Sequence, residues 1–218
     1  MRNEKEDRFR QIISLTGAAG VLFYTAHVIL GGLLWEGYSH ITQTISELTA
    51  KGSPNAEIPR VLSTIYAVLL IVFSFYLFSF MRRRSLHKAA VMGSFFFILM
   101  QITSFIGYSL FPLDLSESIS DFTNVMHLVV TFIVVLCTLL SSFSLGYGLR
   151  KEKKHRKIGK FILLCAVIIT LSGALTPLSM AKGIEVSGLL ERINIFTLLS
   201  WVFVLSVYLF REERRSMK

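Results

Sequence analysis

An all-α integral membrane protein, with six transmembrane helices in one bundle, is the fold class this sequence predicts. Three observations predict it. Hydrophobic residues fill 53% of the 218 positions and charged residues only 17%, at a mean hydropathy of +0.60, which is the composition of a polytopic membrane protein and not of a soluble domain. A spanning helix needs about 20 mostly apolar residues, and windows of that size fall at Ile12–Leu34, Val61–Phe80, Ala89–Phe111, Val125–Leu149, Phe161–Ala181 and Leu189–Phe210. Finally, the basic residues sit in alternate connections. They occupy the arm (Arg2, Lys5, Arg8, Arg10), the second connection (Arg82, Arg83, Arg84, Lys88), the fourth (Arg150, Lys151, Lys153, Lys154, Arg156, Lys157, Lys160) and the tail (Arg211, Arg214, Arg215, Lys218). Only Lys51, Arg60, Lys182 and Arg192 fall on the other side.

That asymmetry orients the bundle, because Lys and Arg accumulate in cytoplasmic loops. It predicts both termini in the cytoplasm, the bundle in the plasma membrane, and the basic loops touching anionic lipid headgroups. The net charge of +9 is thereby accounted for, and no aromatic-basic interleaving or nucleic-acid motif accompanies it, so nucleic acid is not an expected partner. The domain organisation follows: a cytoplasmic arm over 1–11, one membrane domain over 12–210 and a tail over 211–218. The first span is too long for a removable signal peptide and lacks a small-residue cleavage site. Cys137 and Cys165 lie inside apolar runs and read as small buried hydrophobes, with no disulfide framework.

The first span follows a charged arm expected to fray, and carries Gly20, Tyr24, His27 and Gly31 on one helical stripe, where small residues let another helix approach. His27 on that stripe is a candidate for a hydrogen bond to a neighbouring helix, or for a ligand or proton-relay role. The connection Trp35–Arg60 is the longest polar stretch between apolar ones. Trp35 and Tyr38 suit the membrane interface, and Ser39 caps an expected short outer interfacial helix over 40–50 with Ile41, Ile45 and Leu48 on its apolar side. Ser46 and Glu47 flank that stripe, Gly52 and Pro54 end the helix, and Pro59 opens the next span.

The second span is almost wholly apolar and reads as mainly lipid-facing. Gln101, Ser104 and Tyr108 form a polar line on the third, which Pro112 terminates; Asp114, Glu117 and Asp121 follow it in a loop without basic residues. His127, Thr131, Thr138 and Ser142 share one face of the fourth. The fifth carries Thr170, Gly173, Thr176 and Pro177, with a kink expected where proline removes a backbone bond. At the head of the sixth, Glu191 and Arg192 diverge as neighbours on a helix, and each needs a partner or water, since a charge there is costly. An ion pair between Glu47 and Arg192, closing the outer helix over the bundle, is one way to satisfy two of these charges.

The candidate polar centre is therefore His27, Ser46, Glu47, Asp114, His127, Glu191 and Arg192. Histidines and carboxylates are zinc ligands, with His27 and His127 the first suspects, but no pair of them has the tight spacing of a metal motif, and no cofactor is expected. Phosphate loops, nucleotide fingerprints and a nucleophile elbow are absent. Only the fifth span looks broken, whereas a secondary transporter usually shows two broken helices.

Several blocks coincide with a known pattern: Thr44-Ile45-Ser46-Glu47-Leu48 after Glu36-Gly37-Tyr38, Gly52-Ser53-Pro54-Asn55-Ala56, Phe111-Pro112-Leu113-Asp114, His127 opening a span, and Gly188-Leu189-Leu190-Glu191-Arg192-Ile193. With these marks, residues 12–210 resemble the prokaryotic integral membrane family called domain of unknown function 998. Glu36 stands where the family usually has proline before Gly-Tyr, and Asn55 where it usually has histidine. The resemblance implies a six-span membrane protein and no particular activity. From the residues, the leading expectation is a non-enzymatic protein that binds a lipid, a small amphiphile or a partner membrane protein through the outer polar centre. The alternatives are a metal-dependent intramembrane hydrolase built on His27, His127 and a carboxylate, and a small secondary transporter.

Overall fold

The computed structural model describes residues 4–216; Arg2 and Lys218, counted above with the basic arm and tail, lie outside the described residues. Seven α-helices follow one another: α1 (Glu4–Ser14), α2 (Thr16–Leu33), α3 (Glu57–Arg83), α4 (Lys88–Leu110), α5 (Phe122–Lys151), α6 (Arg156–Ala181) and α7 (Ser187–Ser216). Taking α1 and α2 as one rod, Glu4–Leu33, six helices are long and apolar enough to cross a membrane. Among the described residues the one β feature is an isolated bridge between Lys51 and Asp114.

The helices run past the apolar windows into their charged flanks. Basic side chains in the last turns of α3 (Arg82, Arg83), α5 (Arg150, Lys151) and α7 (Arg214, Arg215) complement the negative end of the helix dipole. Asp121 caps α5 by accepting the Thr123 N–H at 2.9 Å, and His87 caps α4 through Nδ1. The arm expected to fray is helical from Glu4, where Arg10 pairs with Glu6 at 3.3 Å and Asp7 at 3.5 Å. The α1–α2 junction has a visible cause. Ser206 of α7 inserts its hydroxyl into the backbone ladder, accepting the Ala18 N–H at 2.9 Å and donating to the Ser14 carbonyl at 2.5 Å.

Turns of a few residues at 84–87, 152–155 and 182–186 make sequence neighbours antiparallel neighbours in space. Each helix packs on the next, and α7 closes the ring against α1 and α2. All the basic connections gather at one end. The long segment 34–56, the loop 111–121 and the 182–186 turn gather at the other.

The interior is divided lengthwise. The apolar core fills the half nearer the basic end, around Trp201, Phe73, Phe97, Leu77, Leu145 and Leu205, with Trp201 and Phe97 ring centroids 5.2 Å apart. Both cysteines are free and buried there. The second span, expected to be mainly lipid-facing, is α3: 28% of its apolar window is buried, and its inward side carries Leu70, Phe73, Tyr76, Leu77, Phe80 and Met81. A helix that is apolar on every side carries no periodic signal of which face is inward; that face is chosen by the partner, here the small-residue side of α2, where Gly17 and Gly20 receive Phe73 and Leu70. Pro177 stays within α6, which runs on to Ala181.

At α4–α5 the backbones themselves touch. A Cβ added at Gly93 would lie 2.8 Å from the Leu145 Cα, and one at Gly148 would lie 2.7 Å from the Ala90 Cα, distances no methyl tolerates. Gly93→Val is therefore expected to destabilise the bundle by about 1–3 kcal/mol through overpacking, seen as a lower thermal midpoint in detergent; an unchanged midpoint would contradict the close crossing.

Candidate functional site

The segment 34–56 is a strap across one end of the bundle, and its shape is written locally. Gly37 (φ 78°) and Gly52 (φ 82°) take left-handed turns. Instead of the helix expected over 40–50, residues 40–45 form turns and only Ser46–Thr49 forms a 3-10 turn. The reason is the Thr44-x-x-Glu47 pattern, a capping-box spacing. Glu47 reaches back so that its Oε1 accepts the Thr44 N–H at 2.8 Å and the Thr44 hydroxyl at 2.9 Å, and its Oε2 accepts from Gln43 at 3.1 Å. Ser39 does cap a first turn, accepting the Ile41 and Thr42 N–H groups at 3.4 and 3.3 Å, but the hold of Glu47 on Thr44 interrupts it before the 3-10 turn at Ser46. Ser46 shares a hydrogen bond with the Thr44 hydroxyl at 2.9 Å, and Ser53 donates to the Glu47 carbonyl. Ile45 and Leu48 point inward onto Val28, 2% and 1% exposed.

The strap is held by the first turn of α7. Glu191 Oε2 accepts the Ile45 N–H at 2.6 Å, with the Ser46 N–H beside it. Arg192 donates to the Gln43 carbonyl at 2.8 Å, to the Gly188 carbonyl at 2.9 Å and to the Tyr38 hydroxyl at 2.6 Å, and its guanidinium lies 5.5 Å from the Tyr38 ring centroid. Tyr38 in turn donates to the Thr44 carbonyl at 2.6 Å. Burial pushes the Tyr38 phenol above its ordinary pKa, with Arg192 pulling the other way. Ser187 donates to the Thr42 carbonyl and the Leu189 N–H to that of Ile41, both at 2.9 Å.

The expected ion pair between Glu47 and Arg192 is thus not what closes the strap. Glu47 is committed to its own turn, and Arg192 to backbone carbonyls and a phenol; the acid that reaches across is Glu191. Because the strap wraps the helix terminus, neighbouring side chains pointing about 100° apart on α7 both meet it. Gly188 makes this approach possible, since a Cβ there would collide with the Gln43 carbonyl.

Asp114 lies at a second joint, away from this latch. The Lys51 N–H donates to the Leu113 carbonyl at 2.8 Å, the Leu115 N–H to that of Lys51 at 3.1 Å, and Lys51 Nζ sits 3.6 Å from Asp114. Ser116, donating through hydroxyl and N–H, and then Lys51 hold the Asp114 carboxyl below its ordinary pKa. A depressed folded value means that its contribution to stability is complete at neutral pH and is lost as pH falls below the usual carboxylate range.

Beneath the strap the interior is polar. His27 is 3% exposed, sits edge-on to the Tyr24 ring at 5.1 Å, and among the described residues has no hydrogen-bond partner at either ring nitrogen. Tyr24 packs against Tyr66 at 4.7 Å and lies within electrostatic reach of Tyr108, Glu191 and Arg192. Gln101 is buried beside the Tyr66 hydroxyl. On the far side Tyr108 stacks at 4.9 Å on His127, whose Nδ1 is 2.9 Å from the Phe111 carbonyl. Tyr24, Tyr66, Gln101 and Tyr108 thus join His27, His127 and Glu191 in one patch. Sequence reading left these four out of the site, although tyrosines at matching depth in three apolar spans were the available signal.

Among the described residues no three His, Cys, Asp or Glu side chains come together as a metal site; His27 and His127 stand on opposite sides of the tyrosines. The family model described as "Protein of unknown function (DUF998)" matches residues 18–208. No curated protein and no solved structure matches the chain.

Two outcomes follow for the latch. Arg192→Met is expected to cost about 3 kcal/mol, since charged hydrogen bonds contribute about 1.5–3 kcal/mol each, and to open residues 36–50 to limited proteolysis. Arg192→Lys recovers only part of this, because a point ammonium cannot reproduce the guanidinium fork. Combining Glu47→Arg with Arg192→Glu is expected to give no more folded protein than either change alone; restoration by the double change would reinstate the direct pair.

Proposed function

Because the chain belongs to the DUF998 family of proteins of unknown function, its function has to be argued from its own chemistry, and we propose that it binds a lipid or small amphiphile whose polar head enters beneath the strap and hydrogen-bonds to His27. The observation that carries this reading is the histidine itself. A buried imidazole with neither nitrogen partnered forgoes about 1–3 kcal/mol, and such orphans in native proteins call for a bound group, an ion or a functional role. The surrounding tyrosines supply hydroxyls able to donate and accept, and the strap supplies a cover that an apolar tail can leave sideways between lipid-facing helices.

In this reading the strap faces the outside of a prokaryotic plasma membrane and both termini are cytoplasmic, as the gathering of basic side chains at the other end supports. Impermeant maleimide applied to intact cells is then expected to label Ser53→Cys and to label Lys153→Cys only after lysis; the reverse pattern would invert the orientation.

The binding test is mass spectrometry of lipids that co-purify with the protein in mild detergent. One amphiphile class near one per chain is expected for the unaltered protein. His27→Phe, which keeps a ring of similar size, is expected to reduce it about tenfold, the loss of roughly one good hydrogen bond. Identical lipid profiles for both proteins would sink the proposal.

A further inference from the structure

The basic end holds a cavity of about 260 Å³ between the α3–α4 turn, the α5–α6 turn and the last turns of α7. It is far from the strap and independent of the reading above. Phe80 and Leu86 give it an apolar wall; Arg84 and Lys154 bring two positive charges, Glu152 and Glu212 two negative ones, and His155 completes the lining. Burial holds the His155 imidazole below its ordinary pKa, and its Nδ1 is engaged 2.7 Å from the Tyr208 hydroxyl.

Two groups have capacity to spare. Arg84 lies over the Phe80 ring at 5.6 Å, with an ion-pair contact to Glu213 at 3.8 Å, which leaves most of its five donors for a ligand. Glu152 accepts the His87 N–H through Oε1 at 2.9 Å, which leaves its second oxygen available. Lys154 pairs with Glu212 and has a side chain 64% exposed, so its ammonium can turn to share a second anion. Glu212, 3% exposed and also bound by Arg215 at 3.4 Å, is the fixed floor.

A lining with equal numbers of cations and carboxylates repels a simple anion through the acids and a simple cation through the bases. It fits a group that carries both signs a few ångströms apart. The volume is below the roughly 300–1,000 Å³ that encloses a whole drug-sized ligand, which suits a polar head with its apolar part lying outside along Phe80 and Leu86. We propose that this cavity binds a phosphate and a primary ammonium carried on one molecule, as in an aminophospholipid head group, with Arg84 and Lys154 taking the phosphate and Glu152 the ammonium. A primary ammonium donates three hydrogen bonds to the carboxylate side, whereas a trimethylammonium donates none, so the site discriminates between these head groups.

The test is native mass spectrometry of the full-length protein transferred into an equimolar mixture of phosphatidylethanolamine, phosphatidylcholine and phosphatidylglycerol. Adducts of phosphatidylethanolamine are expected to exceed each of the others about tenfold, or about 1.4 kcal/mol. Arg84→Gln, Glu152→Gln and Lys154→Gln are each expected to abolish the preference, and Lys154→Arg, which keeps a cation beside Glu212, to retain it. His27→Phe is expected to leave it intact, which separates this site from the one beneath the strap. Soluble glycerophosphoethanolamine in large excess distinguishes the sources: displacement of the lipid assigns the site to the free aminophosphate, and retention assigns it to the lipid. Equal adducts of all three lipids, or a preference that survives all three substitutions to glutamine, overturns the proposal.

Discussion

The structure at the strap end depends on how exposed backbone is satisfied where helices stop. A segment lying over the mouth of a membrane bundle brings carbonyls and N–H groups close to an apolar medium, where each unpaired group is costly. The first turn of α7 meets that demand with side chains that are strong donors and acceptors. Arg192 takes the Gln43 carbonyl and the Tyr38 hydroxyl, Glu191 takes the Ile45 N–H, and Ser187 takes the Thr42 carbonyl. Charges that would be a burden alone at a helix terminus become the fastening. The same contacts position Ile45 and Leu48 over Val28, and so decide what the interior beneath is sealed by.

Division of the interior into two halves links packing to function. Near the basic end, large apolar side chains around Trp201 fill the ring and glycines bring α4 and α5 into backbone contact; dispersion and close packing, which replace the hydrophobic effect between helices in lipid, are strongest there. Toward the strap the filling is His27, Gln101 and three tyrosines, and among the described residues neither His27 ring nitrogen has a partner. A rigid half anchors a half that retains hydrogen-bonding capacity.

Much of the architecture was legible in the residues. Six apolar windows became six spans, the stripe of Gly20, His27 and Gly31 became a buried contact face, and Glu191 and Arg192 each found a partner across the end of the bundle. The misreadings share one cause. Which side of α3 turns inward, with Leu70, Phe73 and Leu77, was not legible because an all-apolar helix looks the same from every side. The arm was expected to fray because it is charged, yet Ser206, distant in sequence, tethers the junction that follows it. Glu47 was matched with Arg192 by charge, whereas the nearer demand, capping Thr44, had already claimed it.

By itself, then, the sequence determined what depends on local composition: the six apolar spans and the end at which the basic side chains collect. Only the tertiary structure decided which side chain answers which, because hydrogen-bond partners 146 to 154 positions apart are chosen by how the helices close into a ring. Hydropathy measures affinity for a medium and is blind to direction. The inward face of α3, the meeting of tyrosines around His27 and the latch on α7 are all matters of direction.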